Sequence, residues 1–281
     1  FGGTLADGGA AKLALNKQGT GTLFLTGSST YTGQTVVGGG IINVGSSSAL
    51  GNSYNVREVT RNAGIQLQGG ISLPATITFT LSNDGIGAVP YAIANVSGNN
   101  TINGQITMTS GGGGSFIQSD DGTLTLAGNI TSDQARPLTL LGASTGANTV
   151  SGVYSNGSSG VNTLAKSGPG TWTLTGTNTY TGSTTINEGI LQLGDGTTDG
   201  TIAATSGVIN NAVLIYNWAA AHTVPYVISG NGSVIKNGAG TASLTGVNTY
   251  TGTTTVNAGE LAVNGTSIAD TGTVVINGGK M

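Results

Sequence analysis

Apolar and polar residues alternate in short runs along the chain, and residues 171–194 show the pattern most clearly. There Trp172, Leu174, Ile186 and Leu191 are apolar, whereas most positions between them carry threonine or another polar residue. A period of two is that of a β-strand with one buried face. Glycines separate the runs, so the pattern predicts three short strands joined by glycine bends.

The same pattern occurs three times, at residues 17–45, 166–194 and 236–264, and the three copies align without a gap. Such internal repetition is typical of architectures built by stacking one structural unit. Thirteen positions are identical in all copies. In the first copy they are Lys17, Gly19, Gly21, Thr22, Leu25, Thr26, Gly27, Thr30, Tyr31, Thr32, Gly33, Thr35 and Gly40.

Three such strands cannot bury their apolar face alone, whereas stacked sets of strands cover one another. The sequence therefore predicts an all-β fold with one β-solenoid domain over residues 1–281. We expect a right-handed parallel β-helix of about 11 to 14 coils, from roughly 20 to 25 residues per coil. A β-sandwich or an up-and-down barrel is the competing all-β architecture, but it needs more hairpin turns than the motif spacing offers.

Composition narrows the classes of function. Glycine occurs 51 times, charged residues make up only 7%, and threonine, serine and asparagine, which are poor helix formers, supply most of the polarity. The net charge of −3 with no cluster of Lys or Arg argues against a nucleic-acid partner. Without cysteine there is neither thiol chemistry nor a zinc-thiolate site. No apolar run is long enough to predict a membrane-spanning segment.

The second copy, KSGPGTWTLTGTNTYTGSTTINEGILQLG, resembles the autotransporter-associated β-strand repeat, also called the passenger-associated transport repeat. The third copy resembles it as well, and the first departs at Ser29, where the others have Asn178 and Asn248. The resemblance implies a secreted passenger domain with β-helical structure. It also implies a location outside the cell or on the cell surface of a Gram-negative bacterium.

Candidate catalytic groups are few. Asp120 with Asp121, and Asp195 with Asp199, are close in sequence, but each pair adjoins a glycine and is typical of a solvated bend. The single histidine, His222, has no second histidine with which to share a metal. We therefore expect no catalytic, cofactor-binding or metal-binding residue and no enzyme. A polysaccharide-active enzyme would require a cleft with convergent carboxylates.

A lysine and a tyrosine recur fourteen residues apart in each copy. They are Lys17 and Tyr31, Lys166 and Tyr180, and Lys236 and Tyr250. One interpretation is a ligand-binding row, since aromatic rings bind sugars. The other, which we favour, is a repeat framework in which tyrosine packs over a bend and lysine shields an exposed edge.

The sequence favours a non-catalytic extracellular structural protein, either a surface stalk or a self-assembling fibre subunit that stacks end to end. The alternative is a fragment of an adhesin-type passenger that binds glycans or host surfaces along the side of the rod. Neither FGGTLADGGAAKLAL nor TGTVVINGGKM contains a capping helix. Solenoid ends are normally capped, so we expect either excision from a longer passenger or a homopolymer formed through the ends.

Overall fold

A computed structural model describes residues 1–52, 54–58, 62–82, 87–109, 113–264 and 272–281, and these residues form short β-strands joined by bends. The strands follow the alternating runs of the sequence. They are β1 (Leu15–Lys17), β2 (Thr22–Leu25), β3 (Thr35–Val37), β4 (Gly40–Val44), β5 (Asn55–Glu58), β6 (Ala63–Leu67), β7 (Ser72–Leu73), β8 (Thr78–Leu81), β9 (Ile93–Asn95), β10 (Asn99–Ile102), β11 (Ile106–Met108), β12 (Ser115–Ser119), β13 (Thr123–Leu126), β14 (Ile130–Ser132), β15 (Pro137–Leu141), β16 (Asn148–Val150), β17 (Thr163–Lys166), β18 (Thr171–Leu174), β19 (Thr184–Ile186), β20 (Ile190–Leu193), β21 (Val208–Asn210), β22 (Val213–Asn217), β23 (His222–Val224), β24 (Ile228–Ser229), β25 (Ser233–Asn237), β26 (Thr241–Leu244), β27 (Thr254–Val256), β28 (Glu260–Val263) and β29 (Val274–Ile276).

Successive strands belong to different sheets, and the chain returns to the second sheet once per coil from β2 to β24. We name the sheets by their strand orders. The first is β1-β3-β5-β8-β11-β14, the second β2-β4-β6-β9-β12-β15-β17-β19-β21-β24, the third β29-β27-β25-β22-β20-β18-β16-β13-β10-β7, and the fourth β23-β26-β28. Each strand of the fourth sheet follows a third-sheet strand, as β8, β11 and β14 of the first sheet do. The fourth sheet therefore takes the place of the first sheet later in the chain.

All ladders between these strands are parallel, which confirms the predicted β-solenoid and contradicts a β-sandwich or an up-and-down barrel of antiparallel strands. The solenoid has about ten turns, as the ten strands of the second sheet indicate. The predicted 11 to 14 coils were slightly too many because several coils are long. Register partners are 19 residues apart at Thr22 and Ile41 but 29 apart at Ser72 and Thr101.

The inward side chains of the stacked coils form a continuous apolar column. The residues that the alternation placed inward are buried, with Trp172, Leu174, Ile186 and Leu191 each at most 2% exposed. Parallel pairing in register stacks equivalent side chains of successive coils, as Trp172 stacks on Leu191. Among the described residues, no helix is long and apolar enough to cross a membrane.

The three repeat copies begin on three different sheets. The strand that carries the repeat lysine is β1 in the first sheet, β17 in the second and β25 in the third. Each copy thus contains the three predicted strands, preceded by the strand that carries the lysine. Because the copies are displaced around the solenoid as well as along it, equivalent residues of different copies do not lie in one column.

Candidate functional site: the lysine caps and tyrosine–threonine pairs of the repeats

The repeat lysine binds backbone carbonyls at the bend after its strand. Lys166 is fully buried, and its Nζ donates to the carbonyl oxygens of Ser167 at 3.0 Å, Gly168 at 2.7 Å and Glu188 at 3.1 Å. An ammonium group carries three donors, so all three are used. Glu188 lies one coil further along than Lys166, and the side chain therefore joins two successive bends. We call each such lysine with its carbonyl partners a lysine cap.

Lys17 in the first copy forms the same lysine cap, and Lys236 in the third copy binds the carbonyls of its own bend. The ammonium of Lys17 binds the carbonyls of Gln18 at 2.8 Å, Gly19 at 2.9 Å and, in the next coil, Gly39 at 2.9 Å. That of Lys236, which is also fully buried, binds the carbonyls of Asn237 and of Gly238, the latter at 2.8 Å. The expectation that the lysines shield an exposed edge was wrong for Lys166 and Lys236, since both lie inside the bend.

The lysine cap explains one of the identical glycines. Gly189, in the bend above Lys166, has φ of 66°, a left-handed conformation that favours glycine. A Cβ at this position would lie 2.4 Å from the carbonyl oxygen of Gly170 and 2.8 Å from the Lys166 Nζ. Gly40 and Gly259, its equivalents, have φ of 66° and 64°. Only glycine lets the two bends approach closely enough for one ammonium to bind both.

The repeat tyrosine is buried and bonded to a threonine of its own copy. The hydroxyl groups of Tyr180 and Thr184 are 2.6 Å apart, and both side chains are fully buried. The same tyrosine–threonine pair joins Tyr31 to Thr35 at 2.6 Å and Tyr250 to Thr254 at 2.7 Å. A buried hydroxyl group without a partner is costly, so this bond permits the ring to fill the interior.

An asparagine two residues before the tyrosine binds the preceding coil. The Oδ1 of Asn178 accepts a hydrogen bond from the Tyr154 amide at 2.8 Å, and Asn248 Oδ1 accepts from the Ile228 amide at 2.9 Å. In the first copy the Oγ of Ser29 accepts from the Leu5 amide at 3.2 Å. The departure of the first copy from the repeat pattern therefore keeps the acceptor.

Replacing Asn178 by alanine is expected to lower the free energy of unfolding by about 2 kcal/mol, because the buried Tyr154 amide loses its acceptor. Asn178→Ser should cost less than about 1 kcal/mol, since a serine oxygen serves the same amide at Ser29. Urea denaturation of the two variants measures the difference. Equal losses in both variants would contradict the role assigned to the side-chain oxygen.

Burial lowers the pKa of Lys166 to about 8, against the opposing effect of the Glu188 charge, and burial also lowers the pKa of Lys236. An unfolded lysine titrates near about 10.4. Between these values the unfolded chain binds more protons than the folded chain, so the contribution of Lys166 to stability rises with pH. Below the folded pKa this contribution is constant and unfavourable.

The stability of the wild type relative to Lys166→Met should therefore rise by on the order of 2 kcal/mol from pH 8 to pH 10. Methionine is uncharged at every pH. The other titrating groups are the same in both proteins, so their effects on stability cancel in the difference. Denaturant titrations at each pH measure the difference, and the interval from pH 6 to pH 7, where it should stay flat, is the internal control. A difference that falls above pH 8 would show that the ammonium is favoured inside the cap.

The carboxylates outside the repeats bind bends rather than each other. Asp195 accepts from the amides of Thr197 at 2.8 Å and Thr198 at 2.7 Å. Asp199 accepts from the Ala219 and Ala220 amides and lies 3.0 Å from the Nε2 of half-buried His222. Burial raises the pKa of Asp199, but these bonds outweigh it and leave the pKa below the ordinary value. Within the described ranges, no three His, Asp or Glu residues are placed to hold a metal ion.

Sequence reasoning missed a set of asparagines that bind successive coils outside the repeats. Their Oδ1 atoms accept from an amide of the preceding coil, at 2.7 to 2.9 Å. They are Asn100, Asn148 and Asn162, with the amides of Ile71, Leu124 and Arg136. Each of these asparagines precedes a threonine, as Asn178 and Asn248 do. The recurring Asn-Thr dipeptide is the signal that could have identified them.

The geometry does not produce a ligand-binding row of lysines and tyrosines. Tyr31, Tyr180 and Tyr250 are fully buried. The strands that carry the repeat lysines lie in three different sheets. What the six side chains can do is bind backbone and neighbouring hydroxyl groups inside the coil, which favours the framework interpretation that the sequence suggested.

The passenger-associated-transport-repeat family model matches residues 15–44, 164–193 and 234–263. A relative, the adhesin BmaC autotransporter of Brucella suis biovar 1 (strain 1330), is 37% identical over 265 residues. The match covers 91% of this chain and 7% of the relative, so the chain spans a small part of that protein's length. No solved structure matches the chain.

These matches agree with the fold and with the site geometry. Each matched range begins in the strand that carries the repeat lysine and ends with the third strand after it, which is β4, β20 or β28. They therefore contain the lysine cap and the tyrosine–threonine pair of each copy. The location is outside the cell or on the cell surface of a Gram-negative bacterium. The chain is a parallel β-solenoid that carries three passenger-associated transport repeats.

Proposed function

We propose that this chain is a non-catalytic structural segment of an extracellular passenger, a stiff stalk made of stacked coils. The observation that carries the proposal is the chain of side-chain bonds between coils. The lysine caps of Lys17 and Lys166 and the Asn-Thr asparagines bind backbone groups that lie one coil away. These side-chain bonds and the strand ladders both join neighbouring coils. Bending or stretching the rod must therefore break several hydrogen bonds at once.

Single-molecule force spectroscopy with handles at the two ends tests the stalk role. A coil of 19 to 29 residues should release roughly 65 to 100 Å of chain when it unravels, and the trace should show discrete steps of that size. Asn178→Ala should lower the force of one step and leave the others unchanged, whereas Asn178→Ser is the matched control. Smooth extension without steps would refute a stiff stalk.

Assembly of several chains into a fibre through the solenoid ends is a further prediction within this proposal. About ten coils at a strand spacing of ~4.8 Å make a rod about 50 Å long. Electron microscopy across a dilution series should show filaments with that axial repeat at high concentration and single rods at low concentration. Single rods at every concentration would contradict assembly and leave the stalk role intact.

A second candidate function is adhesion, in which the side of the rod contacts glycans or a host surface. The observation that favours it is the relative described above, whose name is that of an adhesin. Adhesion and a stalk role are compatible, because the stacked coils hold any outward-facing row of side chains at fixed spacing.

A further inference from the structure

Four aliphatic side chains form a patch on the outward face of the third sheet, on the adjacent strands β20, β22 and β25. Ile190 is the register partner of Val213, and Ile215 is the register partner of Ile235. Side chains alternate along a strand, and one chain neighbour on each of these strands points into the core. These inward neighbours, all fully buried, are Leu191, Leu214 and Val234. The patch therefore faces away from the core, and Ile190, Val213 and Ile235 are half-buried.

The patch is separate from the interior of the solenoid. Its four side chains belong to neither hydrophobic cluster of the described residues. Ile215, at the centre of the patch, is only 9% exposed, so the side chains beside it on the sheet surface cover it. A contiguous apolar patch on an otherwise polar surface is typical of an interaction site.

The whole outward face of the third sheet is uncharged. Its ten strands contain one charged residue, Lys236, and that side chain is fully buried. Beyond the patch the outward face continues in register through Thr149, Thr125 and Thr101. Ten strands at ~4.8 Å make a face about 43 Å long and roughly 13 Å wide. Two such faces together cover about 1,100 Å², which is the size that a specific but weak interface needs.

We propose that two copies of this chain pair side by side through the outward faces of their third sheets. Stacked sheets pack about 10 Å apart with their side chains interdigitated. A second copy has the same strand spacing, so its rows of side chains match along the full length of the face. Neither face carries a charge that pairing would have to remove from water.

The position of the patch favours parallel rods. A two-fold axis along the rods places every strand opposite the same strand of the second copy, so aliphatic side chains meet aliphatic side chains. The patch lies off the middle of the ten-strand sheet. An antiparallel pair would therefore place β25 opposite β13, and Ile235 would meet Thr125.

Sedimentation velocity of the 281-residue chain, across a dilution series up to about 1 mM, tests the pairing. The wild type should change from monomer to dimer as concentration rises. Ile235→Glu should weaken dimerisation at least about tenfold, because pairing would bury an unpaired charge. Ile209→Glu, the same change at a 43% exposed side chain on the second sheet, is the matched control and should dimerise as the wild type does. Near-ultraviolet circular dichroism confirms that each variant is folded.

Mixing variants tests the orientation and separates loss of contact from loss of folding. In a parallel pair the strands of the two copies run in opposite directions, so Ile235 lies opposite Ser233 of the second copy. A mixture of Ile235→Glu with Ser233→Lys should therefore recover dimerisation, because opposite charges then meet. The natural chain has no cysteine. Under a mild oxidant, Ile235→Cys should form a mixed disulfide with Ser233→Cys, whereas a disulfide with Thr125→Cys would report antiparallel rods.

Three results would overturn the proposal: a monomer at every concentration, equal weakening by Ile235→Glu and Ile209→Glu, or a mixed disulfide with Thr125→Cys alone. Electron microscopy distinguishes this pairing from assembly through the ends, because end-to-end stacking lengthens the rod whereas pairing through the third sheet doubles its width. The absence of pairing would leave the stalk role untouched, since the force measurement reports on the unravelling of a single chain.

Discussion

Replacing Tyr180 by alanine is expected to lower the free energy of unfolding by about 4 kcal/mol, a large effect for one residue of the repeat. The ring is fully buried, and its centroid is 4.8 Å from that of Tyr154. Removing it leaves a cavity that the closely packed coils above and below cannot fill. Urea denaturation followed by the fluorescence of the buried Trp172 and Trp218 measures the loss.

Two controls separate the ring from the hydroxyl group and from general effects of substitution. Tyr180→Phe keeps the ring and loses only the bond to Thr184, whose Oγ1 still lies 3.1 Å from Thr205 Oγ1, so about 1 kcal/mol is expected. Val247→Ala, at a side chain 54% exposed, should cost less than about 0.5 kcal/mol. If Tyr180→Ala were as stable as Tyr180→Phe, the ring would not contribute to the core.

Replacing Gly189 by alanine is expected to cost about 3 kcal/mol, from a left-handed φ and from contact with the bend below. The new Cβ would lie 2.4 Å and 2.6 Å from two backbone oxygens, those of Gly170 and Gly168, which cannot move without disturbing the lysine cap. Denaturation of the variant measures the cost.

Gly19→Ala is the matched control for this prediction. Gly19 has φ of 71°, close to that of Gly189, but a Cβ there would meet nothing within 4 Å. Alanine at Gly19 should therefore cost only the conformational penalty, about 1 kcal/mol. Equal costs at the two glycines would mean that the close approach of the bends does not constrain the sequence.

The sequence predicted the inward face of the strands well, because burial of alternate side chains depends only on local periodicity. Trp172, Leu174 and Ile186 are inward as the alternation indicated. It could not predict the sheet on which each copy begins. That position depends on the lengths of the intervening coils, which vary from 19 to 29 residues as bends lengthen or shorten.

The burial of the repeat lysine could not be predicted from the sequence either. Lysine is rarely buried unless its charge is compensated, so an exposed position was the natural expectation. The compensation comes from carbonyl groups such as those of Gly168 and Glu188, which are 20 residues apart and meet only after the coil closes. Nor does any local pattern connect Ile215 with Ile235, because their pairing depends on register between coils.

The displacement of the three copies around the solenoid has a mechanical consequence. Had every lysine cap lain along one side, the rod would resist bending strongly in one plane and weakly in the others. With the lysine strands β1 and β17 in the first and second sheets, the bends that Lys17 and Lys166 join across coils lie on different sides of the solenoid. The flexural stiffness is thereby spread more evenly about the long axis, which suits a projection that is pushed from any side.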